Sequence, residues 1–224
     1  MAYLLRKYSP AKWEGATQTK EVSADAITIC LKSSQNKLST WKVSTEEEDE
    51  INHVSVAMLS QMDGLDTTHY VLIDEGFFLD NGIDVEYSSG DAFTIAADCV
   101  DLHANIKNLN YEKYGYLAEA ILEGIHNSRT KTIQKSKAGE ILLRAIAQER
   151  FTWNDLNEKL RSALIRHFIN TYRAGTPDRM KIFEFNEFPP EVSSILKEEL
   201  KKAIQLKQIK ESKIPAPIML ELGI

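Results

Sequence analysis

Cysteine is nearly absent from this chain of 224 residues, which contains two, Cys30 and Cys99. They stand far apart and outside any paired motif, so sequence supports neither a disulfide framework nor a zinc site, and Cys30 reads as a small core hydrophobe. Long apolar runs are also missing. Every run is interrupted before the eighteen or so residues that a membrane span needs, and the start MAYLLRKYSPAKW has no signal-peptide core or cleavage site. The expectation is a cytoplasmic protein with no membrane contact. No Gly-Lys pair occurs anywhere, which excludes a P-loop, and GxGxxG, GxSxG and HExxH are absent too. Dinucleotide binding, an α/β-hydrolase nucleophile and a zincin site therefore lack support.

Two weaker arrangements remain. Asp74 and Glu75 lie at the end of an expected strand, where a metal-dependent nuclease places carboxylates. The acidic-x-Lys triplets Glu199 to Lys201 and Glu211 to Lys213, however, fall on or beside the last helix. The five histidines, His53, His69, His103, His126 and His167, are scattered through different elements. Asp98, Asp101 and His103 form the best metal-binding candidate, since carboxylates and imidazole can share a divalent ion. They sit in polar loop sequence, where solvated side chains are expected anyway. The reading is no catalytic residue, no cofactor and no metal.

What is present is charge, unevenly placed. The net charge is -6, yet residues 1 to 126 hold 9 Lys and Arg against 21 Asp and Glu, and residues 127 to 224 hold 18 against 12. The asymmetry points to different partners at the two ends, or to mutual attraction of the halves. With 43% hydrophobic residues the chain can bury a core in one or two domains.

The expected fold class is α+β: a small N-terminal mixed-sheet lobe, residues 1 to 108, followed by a mainly helical, winged-helix-like C-terminal lobe, residues 109 to 224. Ala2 to Tyr8 predicts a first strand stopped by Ser9-Pro10, and Trp13 an aromatic anchor in a loop. AITICL (Ala26 to Leu31) and LSTWKV (Leu38 to Val43) predict a hairpin around Gln35-Asn36. Thr45 and the acids after it open a helix with a stripe of Ile51, Val54, Met58 and Met62 that ends at Gly64. THYVLID (Thr68 to Asp74) predicts an interior strand. Phe77 to Leu79 reads as a short turn or helix, IDVEY (Ile83 to Tyr87) as a half-exposed strand, and Ser88 to Asn108 as an irregular linker.

Three amphipathic helices follow. NYEKYGYLAEAILEGIH is the first; the second runs from about Ser136, a plausible N-cap, to Gln148; the third starts at Thr152 and ends at Gly175 and Pro177. Arg129 to Lys181 holds 12 Lys and Arg against 5 acids. Its order of Thr132-Ile133, helix, turn, helix and the strand MKIFEF (Met180 to Phe185) resembles a winged helix-turn-helix. Arg129, Lys131, Arg161, Arg166 and Arg173 are then the candidate contacts with DNA or an acidic protein. Pro190 opens a last helix coated by Lys197, Lys201, Lys202 and Lys207. The apolar tail KIPAPIMLELGI, with Ile218 and Leu220, reads as a docking segment for this protein or another.

LLRKYSPAKW, the pair LSTWKV and VLID, and the helix LNYEKYGYLAEAILEGI together resemble the small accessory subunit of Lamassu-type anti-phage defence systems, over about residues 1 to 165. The resemblance implies a non-catalytic, kleisin-like adaptor that joins an SMC-like coiled-coil ATPase to an effector nuclease and restrains the nuclease, with DNA reached through the complex. It brings over no individual functional residues. The long polar linker of a typical kleisin is missing, which separates this chain from a simple kleisin. The alternative class is a winged-helix DNA-binding regulator.

Overall fold

The computed structural model describes residues 2–19, 21–33, 35–89, 94–173 and 183–224. It shows an α+β protein in two compact units, residues 1–58 with 66–135 and residues 59–65 with 136–224. The first unit thus extends beyond the expected boundary at 108, because the helix that follows packs with the sheet. No helix among the described residues is long and apolar enough to cross a membrane.

In the first unit the chain runs β1 (Tyr3–Tyr8), α1 (Pro10–Thr19), α2 (Ala24–Cys30), β2 (Leu38–Val43), α3 (Glu48–Leu59), β3 (Thr68–Asp74), α4 (Glu75–Asp80) and β4 (Val85–Tyr87). A 3-10 turn at Ala97–Leu102 then leads to β5 (His103–Ile106), α5 (Tyr111–His126) and β6 (Thr130–Ile133). The strands form one six-stranded sheet in the order β4-β5-β2-β1-β3-β6. Every pairing is antiparallel, so the expected mixed sheet is an antiparallel one; β2 and β3 flank β1 and share a direction, and the chain between them crosses over β1. β1 and β3 are neighbouring interior strands, with Leu4 opposite Ile73 and Leu5 opposite Leu72. All four are fully buried, so the two strands are covered on both faces. On one face Leu4, Val71 and Ile73 pack with Trp13 of α1, Phe78 of α4 and Leu117 and Ile121 of α5. Burying a side chain of that size contributes on the order of 1.5–3 kcal/mol.

Several local readings change. AITIC is the helix α2, not a strand: the Ser23 hydroxyl caps it by accepting from the Ala26 amide at 3.1 Å, and Asp25 occupies its first turn. The expected hairpin with β2 therefore does not exist, although Gln35 and Asn36 do turn the chain in the left-handed region. Trp13 lies on α1 and is 1% exposed. Residues 88–108 hold a 3-10 turn and β5, which pairs with β2 and β4, and not only a linker; Gly90 lies outside the described residues. Thr132-Ile133 belongs to β6 at the sheet edge, paired with β3, so it is not the opening of a wing.

α3 is anchored by Glu50, whose carboxylate accepts from the Thr45 hydroxyl at 2.7 Å and from the amides of Ser44 and Thr45. Burial opposes its ionisation, but these hydrogen bonds outweigh it and hold the carboxyl below its ordinary range. α5 is capped by Asn110, which accepts from the Lys113 amide at 2.9 Å. It ends at Asn127, and Ser128 turns left-handed into β6.

The second unit contains α6 (Lys135–Ala147), whose first residue still belongs to the first unit, a 3-10 turn at Trp153–Asp155, α7 (Glu158–Arg173), a 3-10 turn at Phe185–Glu187, α8 (Pro190–Gln205), a 3-10 turn at Glu211–Lys213 and α9 (Ala216–Leu222). Ser136 falls inside α6. Thr152 and Asp155 form a reciprocal cap on the short turn, and Asn157 caps α7 by accepting from the Leu160 amide at 2.8 Å. Gly175, Pro177 and most of the expected strand Met180–Phe185 lie outside the described residues. The described end of that segment runs into a 3-10 turn, where Phe183 and Phe185 join Phe168, Tyr172 and Phe188 in a buried aromatic cluster with ring centroids 5.4–6.4 Å apart.

Two glycines mark close approaches. A Cβ on Gly124 would lie 2.8 Å from both the Leu72 carbonyl oxygen and Val71 Cγ2, and one on Gly139 would lie 2.5 Å from the His167 ring. Gly124→Ala is expected to lose about 1–3 kcal/mol by overpacking, more than the roughly 0.5–1 kcal/mol that Ala gains in a helix, as chemical denaturation will read. The buried Nε2 of His167 has no hydrogen-bond partner among the described residues, and burial lowers its pKa, with Glu140 pulling weakly the other way. The folded state therefore takes up its proton less readily than the unfolded chain. Its contribution to stability is full above the unfolded histidine pKa of about 6.5 and is lost as pH falls towards the lower folded value. His167→Gln is expected to flatten this acid-side decline in melting temperature.

Candidate functional site

The first unit carries a groove of about 920 Å³ between α5 and the segment entering α2. Its walls are apolar: Val22 and Ile27 on one side, Tyr114, Ala118 and Leu122 of α5 on the other. These α5 positions recur every four residues, so one helical face supplies a continuous wall. Asn110 caps the start of α5 and Gly124 lets the helix lie on the sheet; Ala118 and Leu122 are buried at the base of the groove, and Tyr114 is half-buried above them. Tyr114 is fixed by a hydrogen bond with the Ser33 hydroxyl, and His126 Nε2 lies 3.1 Å from the Thr17 carbonyl oxygen. Glu119 and Glu123 line the groove and are exposed, and Tyr111 at its end is fully exposed. Gly115 opens a notch in the wall, for a Cβ there meets nothing within 4 Å. The site is built to hold an apolar side of something, with an acidic edge that favours a positive charge beside it.

The residues expected from sequence to make contacts are divided between the two units, Arg129 and Lys131 in the first and the others in the second. Arg129 is half-buried, with Nε 3.5 Å from Glu46 and its guanidinium 5.3 Å from the centre of the Tyr3 ring. It therefore braces the first unit. Lys131 stands in β6 opposite Tyr70. On α7, Arg161 and Arg166 are about 140° apart around the helix at roughly 100° per residue. Arg161 bonds Asn154, whereas Arg166 and Arg173 share a face. Arg173 donates from Nε to the Gln208 carbonyl oxygen at 3.1 Å, which holds its charge in place. Lys159, which the sequence reading passed over, stands one heptad before Arg166. Lys159, Arg166 and Arg173 thus form an exposed basic row with no acid in the intervening sequence, about 21 Å long. The heptad interval was the available signal.

On α8, Lys202 pairs with Glu199 at 2.7 Å, and Lys201 is half-buried. The apolar tail folds as α9, capped by Gly223 in the left-handed region. Ile218 is buried and Leu220 is 82% exposed. The tail packs within its own unit, with Glu221 3.2 Å from Lys197, and it offers Leu220 alone of the two expected contacts.

The expected Asp98, Asp101, His103 set does not form. His103 is buried, its Nδ1 3.1 Å from the Ser88 carbonyl oxygen and its ring against Trp41. Asp98 instead meets His53 at 3.5 Å. Asp74 caps α4 by accepting from the Gly76 amide at 2.9 Å, and Glu75 accepts from the Tyr87 hydroxyl. Both strand-end carboxylates thus have structural partners.

Comparison with family models, with curated proteins and with solved structures finds no match for this chain.

Replacing Gly115 is expected to separate groove from fold. Gly115→Ala is expected to raise stability by about 0.5–1 kcal/mol, and Gly115→Leu to leave the melting temperature at or above that of the parent while filling the notch.

Proposed function

We propose that this chain is a non-catalytic adaptor subunit of an anti-phage defence complex of the Lamassu type, joining an SMC-like coiled-coil ATPase to an effector nuclease. The observation that carries the reading is the apolar, acid-edged α2–α5 groove. Its complement is an amphipathic helix with an apolar stripe and basic flanks, supplied by the ATPase subunit. The resemblance in LLRKYSPAKW, LSTWKV, VLID and the α5 sequence supports the same role. The Lys159, Arg166, Arg173 row suits an acidic partner surface, and DNA is reached through the complex.

A second reading, a winged-helix DNA-binding regulator, draws on the same basic row, whose spacing can follow phosphates. The loss of Thr132-Ile133 to the large sheet weakens it.

Co-expression with an SMC-like ATPase and an effector nuclease of a Lamassu-type system, followed by size-exclusion chromatography, is expected to give one complex. Gly115→Leu is expected to weaken that complex at least tenfold, about 1.4 kcal/mol, with the fold intact. A chain that elutes alone beside the ATPase rejects the adaptor. A duplex gel shift by the isolated chain, steeply salt-dependent and lost on reversing the charge of Lys159, Arg166 and Arg173, selects the second reading instead.

A further inference from the structure

The first unit brings together three metal-ligating side chains that the sequence holds far apart. His53 comes from the exposed side of α3, and Asp98 and Cys99 come from the 3-10 turn that precedes β5. The imidazole nitrogen, carboxylate oxygen and thiol sulfur all lie within 4.8 Å of one another. His53 Nε2 is 3.5 Å from Asp98 Oδ2, and Cys99 Sγ lies 3.6 Å from the His53 carbonyl oxygen. Among the described residues this is the one such grouping.

We propose that His53, Asp98 and Cys99 form a binding site for a divalent transition-metal ion of the zinc class. One nitrogen, one oxygen and one sulfur donor suit a borderline ion and disfavour magnesium or calcium, which require oxygen ligands. Around tetrahedral zinc, metal–ligand distances near 2.0–2.3 Å place the donors about 3.5 Å apart; the His53–Asp98 pair already stands at 3.5 Å, and the donors all lie within 4.8 Å of one another, so only a small closure onto Cys99 completes the geometry. His53 and Asp98 are exposed and can rotate to supply it, whereas Cys99 is buried and forms a fixed floor. The sulfur distinguishes this from a surface His–Asp pair, which is worth little and needs no thiol beneath it. On binding, the Cys99 thiol releases its proton to solvent as the metal–sulfur bond forms, and water fills the fourth position. The ion clamps the turn before β5 to α3 and leaves one coordination position open to solvent.

The test uses the full chain, stripped with a chelator and titrated with Co²⁺ and then Zn²⁺. Co²⁺ is expected to bind at one equivalent with a thiolate-to-cobalt charge-transfer band that Zn²⁺ abolishes. The band is expected to vanish in Cys99→Ala and to persist in Cys30→Ala. His53→Gln and Asp98→Asn alter exposed side chains and retain the fold; each is expected to weaken Co²⁺ binding at least tenfold and to remove the rise in melting temperature that Zn²⁺ causes. Absence of the band in the parent chain, or its survival unweakened in both His53→Gln and Asp98→Asn, overturns the proposal and leaves a surface ion pair above a core cysteine.

Discussion

The Leu72 carbonyl and the Val71 methyl stand where a Cβ of residue 124 would be, and only glycine lets α5 lie this close to β3. The arrangement of the first unit depends on that approach. It sets α5 on β1 and β3, where Leu117 and Ile121 share a core with Leu4, Val71 and Ile73. It also fixes the exit of the helix, because the Arg129 amide bonds the Gly124 carbonyl and the Arg129 carbonyl accepts from the Leu72 amide at 2.9 Å. β6 is thereby delivered to the edge of β3. A helix held on one side by backbone contact needs less covering on the other, and α5 can present Tyr111 in full and Tyr114 in part without losing its seat.

That outward face explains why a groove survives here rather than collapsing. An apolar wall left in water costs free energy per unit area, and a core lacking a framework of its own closes over it. In this unit the wall is held open by contacts at its two ends, Tyr114 to Ser33 and His126 to Thr17. Polar anchors of that kind fix α1, α2 and α5 relative to each other before any occupant arrives. A preformed groove spares a partner the ordering cost on this side of the interface.

Much of this was legible in sequence wherever one short segment carries both its period and its caps. The three-four apolar spacing located α5, whose Asn110 cap only the structure shows, and Pro190 located α8. The reading failed where tertiary contacts decide. AITIC is rich in β-branched residues, yet Ser23 and Asp25 cap and charge its start, and the local hydrogen bond outweighs a weak strand preference. β5 is HANI, too short and polar to read as a strand; it is buried because β2 and β4 flank it and Trp41 covers His103. The groove was half legible, since the α5 stripe was plain but its second wall is Val22 and Ile27, distant in sequence. The His53, Asp98, Cys99 grouping was hidden for the same reason. Spacing along the chain paired Asp98 with His103, while the fold directs His103 inward.

The distribution of charge separates what steers from what selects. Arg129 is spent within the first unit on Glu46 and the Tyr3 ring, so the formal excess of positive charge in the later residues overstates what a partner meets. The Lys159, Arg166, Arg173 row remains exposed, but its field decays over a Debye length of about 8 Å at physiological salt and distinguishes sign more than identity. An apolar groove is not screened, and its shape admits a side chain or rejects it. A partner drawn by the basic row is therefore chosen by sign, whereas one seated against Tyr114, Ala118 and Leu122 beside Glu119 and Glu123 is chosen by stripe, length and flanking charge together. On that division the proposed adaptor would owe its choice of partner to the groove and not to the basic row.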